Sequence, residues 1–173
     1  MKHKGTSSNI IHALAALCLT TVGMLTLAGC DSTSGDAMSR TITLAEANTK
    51  VNEYAESARQ AIAPKLEFRV QEKQTDAPCS NSDGSPAQDR RDSSLSYELQ
   101  GIPADQISGY FEALRTWWVT HGFTITDENP GNRFLRGEKK DDGFSMAMQS
   151  NNLGKVYLTV NSPCVWRNGT PEP

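Results

Sequence analysis

The first thirty residues constrain the fold most, because they divide a 173-residue chain into a segment that exports and a segment that folds. Lys2 and Lys4 open it, and no acidic residue precedes Asp31. An apolar run from Ile10 to Thr26 follows, interrupted only by His12, Thr20, Thr21 and Thr26, and it closes on Leu27, Ala28 and Gly29 before Cys30. A basic start, a short apolar middle and small residues before a cleavage point form the plan of a secretory signal. The competing reading is an uncleaved spanning helix. The run is at the lower limit of the ~17–25 residues that a bilayer requires, and its His and Thr residues weaken it further. Residues 1–29 are therefore expected to be removed, and the fold must come from what remains.

Leu27-Ala28-Gly29-Cys30 resembles the lipobox of bacterial lipoproteins, position by position. The resemblance implies that the Cys30 thiol carries a diacylglyceryl group and that a dedicated peptidase cuts before it. The new amine is often acylated as well. Ala28 and Gly29 suit a narrow peptidase cleft, and only a thiol can form the thioether. Two or three acyl chains exceed the two-signal threshold for stable anchoring, since each buried methylene contributes ~0.8 kcal/mol. The implied partner is the lipid bilayer, and the implied location is the extracytoplasmic face of the cell membrane. This resemblance covers about the first 30 residues and says nothing of the globular part, which resembles no family by motif.

Loss of the signal leaves 15 basic against 20 acidic residues, a formal charge of −5. A mildly acidic domain lacks the clustered Lys and Arg of an electrostatic nucleic-acid binder. Of the four cysteines, Cys18 leaves with the signal and Cys30 takes lipid, so Cys79 and Cys164 remain. Two thiols in an oxidising compartment, outside any C-x-x-C motif, are expected to form a structural disulfide. Residues 30–40 comprise the lipidated cysteine and a small polar tether, whose ten residues after Cys30 have an r.m.s. reach of about 17 Å.

The folded region is expected over 41–166, with 167–173 as a loose tail. Thr43-x-x-Glu46 is a capping box, with Ile42 before it as a staple. Leu44, Ala47, Val51, Tyr54, Ala55, Ala58 and Ile62 recur at helical spacing until Pro64 stops the helix. Leu66, Phe68 and Val70 then alternate with polar residues as a half-buried strand. Residues 72–94 are almost free of apolar side chains and read as a long polar loop tied down by Cys79. Leu95, Tyr97 and Leu99 alternate as a second strand. A second helix is expected from about Pro103 to His121, with Gly122 at its carboxyl cap. Four strands follow: Phe123–Ile125, Arg133–Lys139, the alternation Phe144, Met146, Met148, and the alternation Val156, Leu158, Val160. Asp141-Asp142-Gly143 and Asn151–Gly154 are the hairpin turns between the last three. The order α-β-β-α-β-β-β-β predicts an α+β two-layer sandwich. Its mostly antiparallel sheet of about five to six strands would be covered by two helices.

Chemistry is sparse. His121 is the only histidine after the signal, near a helix carboxyl end where a cation is favoured by the dipole. A Ser-His or Cys-His nucleophile would depend on it alone. No catalytic residue, metal site or cofactor is expected. Asn81, Asp83 and Gly84 share a calcium loop's opening but lack its later ligands, so a turn is expected there. Tyr110 and Trp117 fall on one edge of the second helix and are the ligand-site candidates, as a platform for a sugar ring or a partner chain; core-edge packing is the competing role. The leading expectation is a non-catalytic, membrane-anchored binding module with an envelope protein or polysaccharide as partner. The alternative is a carboxylate-dependent hydrolase of cell-wall material. A solute-binding lipoprotein is the third reading, and the mature chain is short for the two-lobed kind.

Overall fold

A computed structural model describes residues 41–129 and 133–171. The expected signal peptide, Cys30, the expected tether and the expected turn at Pro130-Gly131 lie outside the described residues.

The first helix, α1 (Leu44–Ile62), starts as its sequence dictates. Thr43 is in extended conformation and its hydroxyl accepts from the Glu46 amide, while the Glu46 carboxylate accepts from the Thr43 amide. This reciprocal pair satisfies two orphan donors of the first turn. Two long strands follow, β1 (Phe68–Ser80) and β2 (Pro86–Leu99). A 3-10 turn over Ala104–Gln106 leads into α2 (Ile107–Thr120), and Gly122 just beyond it takes the left-handed φ of 79° that a helix end requires. The chain finishes with β3 (Phe123–Asn129), β4 (Phe134–Lys139), β5 (Ser145–Ser150), β6 (Val156–Asn161) and a two-residue β7 (Val165–Trp166).

The fold class is α+β, with the expected element order and one added strand. All described pairings are antiparallel, in the order β1-β2-β6-β5-β4-β3, with β7 continuing the β6 side of β2. The core lies on one face of this sheet. Ala47, Val51, Ala55 and Ala58 of α1 and Ile107, Leu114 and Trp118 of α2 pack there against Leu95, Leu99, Leu135, Met146, Met148, Val156, Leu158 and Val160. The alanines let α1 approach closely, and the large residues of α2 fill the sheet's other half.

Two regions differ from expectation. Residues 72–94 are not a loop. β1 and β2 form a ribbon whose turn occupies only 81–85, paired as far out as Ser80 with Pro86. Both faces of β1 are exposed over most of its length, and Val70, expected inward, is 53% exposed. Ladder hydrogen bonds hold such a ribbon without a hydrophobic pattern. A satisfied polar network also ties it to α1: Asn48 Nδ2 donates to the Thr75 carbonyl (2.9 Å), and the Ser93 hydroxyl donates to Asn48 Oδ1 (2.8 Å). Nor is the carboxyl end loose through Gly169. The Gly169 carbonyl accepts from the Thr41 amide and the Arg167 carbonyl from the Leu44 amide. The last residues thereby cap the free amides at the start of α1.

Candidate functional site: an uncovered sheet face

Both helices occupy one face of the sheet, so the polar half of every alternation faces the other way. Cross-strand register aligns these residues in rows. One runs Arg69, Glu98, Tyr157, Gln149, Phe134, Asn129 from β1 to β3. The next contains Ser96, Thr159, Ala147 and Arg136, and a third contains Ser94, Asn161, Ser145, Glu138 and Thr124. Among the described residues no helix or strand packs over these rows. At ~4.8 Å per strand, the six-strand width is roughly 24 Å. Small hydroxyl side chains keep the surface flat, and Ser96 and Thr159 are hydrogen-bonded across it at 3.0 Å. Tyr157 and Phe134 are half-buried by their neighbours and stand outside the core cluster. They are two strands apart in the same row, with exposed Gln149 between them.

At one end of that row lies the fold's most enclosed carboxylate. Glu98 is 6% exposed and is held by Arg69 Nη2 at 2.5 Å and by Lys155 Nζ at 3.3 Å. The hydrogen bond from Arg69 keeps its carboxyl below the usual range, despite the opposing effect of burial. A carboxylate so held stays ionised and is unsuited to deliver a proton as a general acid.

Tyr110 and Trp117 are both on α2 and both pack partly against the core. The Trp117 ring stacks on His121, with centroids 4.5 Å apart and planes at 22°, and also lies 5.8 Å from Phe123. Tyr110 instead directs its hydroxyl to Gln106 Oε1 at 3.2 Å. Trp117 borders a shallow groove with Ala61, Gly109 and Thr116, and Tyr110 does not line it. The two rings thus have different neighbours. His121 caps the helix: its backbone amide donates to the Trp117 and Trp118 carbonyls, and its Nδ1 lies 2.8 Å from the Trp117 carbonyl.

No family model, no curated protein and no solved structure matches the chain.

Several other polar groups have structural partners. Asp142, in the β4–β5 turn, accepts from the Tyr54 hydroxyl at 2.6 Å and from Lys50 Nζ at 3.2 Å, which fastens α1 to that turn. Burial, followed by the bond to Asp142, raises the Tyr54 phenol well above its ordinary value, so it remains protonated. Cys79 and Cys164 form a disulfide with Cα atoms 6.0 Å apart. It pins the outer part of the ribbon to the segment between β6 and β7. Asp83 accepts from the Ser85 amide and hydroxyl, which makes Asn81–Ser85 a tight turn. No group of three or more metal-ligating side chains occurs among the described residues, and no described helix is long and apolar enough to cross a membrane.

Proposed function

We propose that this chain is a lipid-anchored, non-catalytic binding module of the cell envelope, which meets its partner through the uncovered sheet face. One observation carries the reading. A sheet that buries its apolar side chains on one face presents, on the other, rows of Ser, Thr, Asn, Gln and paired charges about six strands wide. Such a face offers many hydrogen-bonding groups on a rigid support, with Tyr157 and Phe134 as the larger contact surfaces. The anchor at Cys30 and the polar tether would hold this face just outside the bilayer. An envelope protein or polysaccharide is the fitting partner, because neither needs a cleft or a basic patch.

The test is site-directed photocrosslinking in native membranes. A crosslinking amino acid at Gln149 or Arg136, both exposed on the uncovered face, is compared with one at Thr116, exposed on α2. Adducts from the first two sites and none from the third support the reading. Cys30→Ala in the same strain should abolish them, because the protein leaves the membrane surface. Adducts from Thr116 alone, or cell-wall hydrolysis by the purified protein that is lost in Glu98→Gln, would refute it.

A further inference from the structure

A cavity of about 700 Å³ lies at one end of the sheet, where the β5–β6 turn, the start of β4 and the start of α2 meet. Its volume falls within the ~300–1,000 Å³ of small-molecule sites. Arg133, Ser150, Asn152, Leu153, Ile107 and Ala104 line it, and no acidic residue contributes to the lining. Arg133 also borders a smaller pocket that contains Glu112 and Glu128, without an ion pair to either. Arg59, Arg69, Arg91, Arg115 and Arg167 each pair with a carboxylate, whereas Arg133, like Arg90 and Arg136, has no such pair among the described residues; of these three only Arg133 lines the cavity. The position of Arg133 is nonetheless defined. Its carbonyl accepts from the Ser150 amide at 2.9 Å, and its φ of 51° makes it the one described non-glycine residue in the left-handed region.

From this arrangement we infer a binding site for a small carboxylate ligand with an apolar group beside the acid, such as the carboxyl terminus of a peptide ending in a small aliphatic residue. The planar guanidinium presents two parallel donors that match a carboxylate, and Asn152 and Ser150 add neutral donors. Aliphatic groups form part of the wall. Leu153 is 81% exposed at the tip of the turn, Ala104 opens the 3-10 turn and Ile107 begins α2. Asn151 holds this turn by accepting from the Leu153 and Lys155 amides, so the wall is preformed. A lone cation in an acidic protein discriminates by the local fork and not by a long-range field. The site therefore selects a single carboxylate and does not accumulate polyanions. It is separate from the uncovered face, and its fate is independent of the crosslinking outcome.

Calorimetric titration of the full-length protein in lipid nanodiscs tests it, with acetyl-Leu-Ala, its carboxyl-terminal amide and inorganic phosphate as probes. The acid binds, the amide binds at least tenfold more weakly, and phosphate binds more weakly than the acid. Arg133→Gln and, separately, Asn152→Ala reduce acid binding, the former tenfold or more, with unchanged melting curves. Leu153→Ser weakens the acid severalfold. Equal binding of acid and amide, tight phosphate binding, unaltered binding in Arg133→Gln, or no acid binding by the folded wild type would each overturn the assignment. If Arg133→Gln fails to fold, the Asn152→Ala and Leu153→Ser titrations decide.

Discussion

Adding one methyl group at Gly137 tests the account of the core most directly. Gly137 is in the middle of β4, paired with Ile125 on one side and Met146 on the other. Its φ is ordinary for a strand, so alanine suits the backbone and would by itself stabilise by about 0.4–1 kcal/mol through the unfolded state. Space decides otherwise. A Cβ at Gly137 would sit 2.8 Å from Trp118 Cε3 and 3.0 Å from Cζ3. The indole is fully buried, its Nε1 directed to Met146 Sδ at 3.2 Å and its ring 6.1 Å from that of Phe123. It has no free direction in which to retreat, and overpacking of this kind costs about 1–3 kcal/mol. The net loss for Gly137→Ala therefore spans about 0–2.6 kcal/mol, and an indole that cannot retreat puts it in the upper half of that range. Urea unfolding followed by tryptophan fluorescence and far-ultraviolet circular dichroism measures this, with an unchanged m-value as the check that only stability moved. The companion is Trp118→Phe, which removes part of the ring that the new methyl meets. In that background Gly137→Ala should become nearly neutral, a coupling of at least ~0.5 kcal/mol. A Gly137→Ala protein as stable as wild type, or the same loss in both backgrounds, would refute the close approach of β4 and α2.

Three further outcomes follow from the same structure. Replacing Cys79 and Cys164 together by alanine opens a closure spanning a sequence separation of 85, for which the chain-entropy model gives about 4–5 kcal/mol; chemical denaturation should show most of that loss, with hydrogen exchange rising first near the ribbon turn. Thr43→Ala removes the hydroxyl that caps α1 and should cost about 1 kcal/mol, measured by the same unfolding curves. Glu98, whose pKa is lowered in the fold mainly by Arg69, contributes stability that is present above its unfolded pKa and is lost as pH falls through the folded one. In Glu98→Gln the decline of Tm between about pH 5 and pH 3 should accordingly be shallower than in wild type, and an identical acid limb would contradict the pairing.

The sequence was informative wherever apolar side chains mark one face of an element. Leu44 to Ile62 and the alternations of β5 and β6 carry the core pattern openly, and Thr43 with Glu46 marks where α1 begins. It was misleading where a strand has no core to face. From Arg69 to Asp76 both faces of β1 meet water, so no period separates ribbon from loop, and Val70 mimics an inward residue. The pairing that makes this segment a strand resides in backbone groups shared by every residue type except proline. The uncovered face was half legible: Ser145, Ala147 and Gln149 are plainly the polar side of β5. That no second layer covers them follows only from both helices lying on the same side. Tyr110 and Trp117 were conspicuous because aromatic rings draw attention, but their spacing on α2 placed them at the core margin. The cavity beside Arg133 left no trace in the sequence, since it depends on a turn, a helix start and one left-handed residue meeting in space.

An uncovered sheet raises the question of why the protein would not join to its neighbours edge to edge, and the two outer strands supply the answer. β1 is 13 residues long and ends the sheet, with no strand paired to its outer side among the described residues, the arrangement most prone to such pairing. Its register against β2 shifts three times, between Val70 and Glu72, between Gln74 and Ala77 and between Pro78 and Ser80. Each shift twists the free edge away from the straight ladder a second strand would need. Arg69, Glu72, Lys73 and Asp76 place charge along the same edge, and Pro78 removes one donor from it. The opposite edge, β3, is shorter and carries a shift between Ile125 and Asp127, followed by two acidic residues. Both edges are thus closed to association while the broad face between them is left polar and flat. Under the proposed binding role, contact would then proceed through side chains on the face and not through the backbone at the rim.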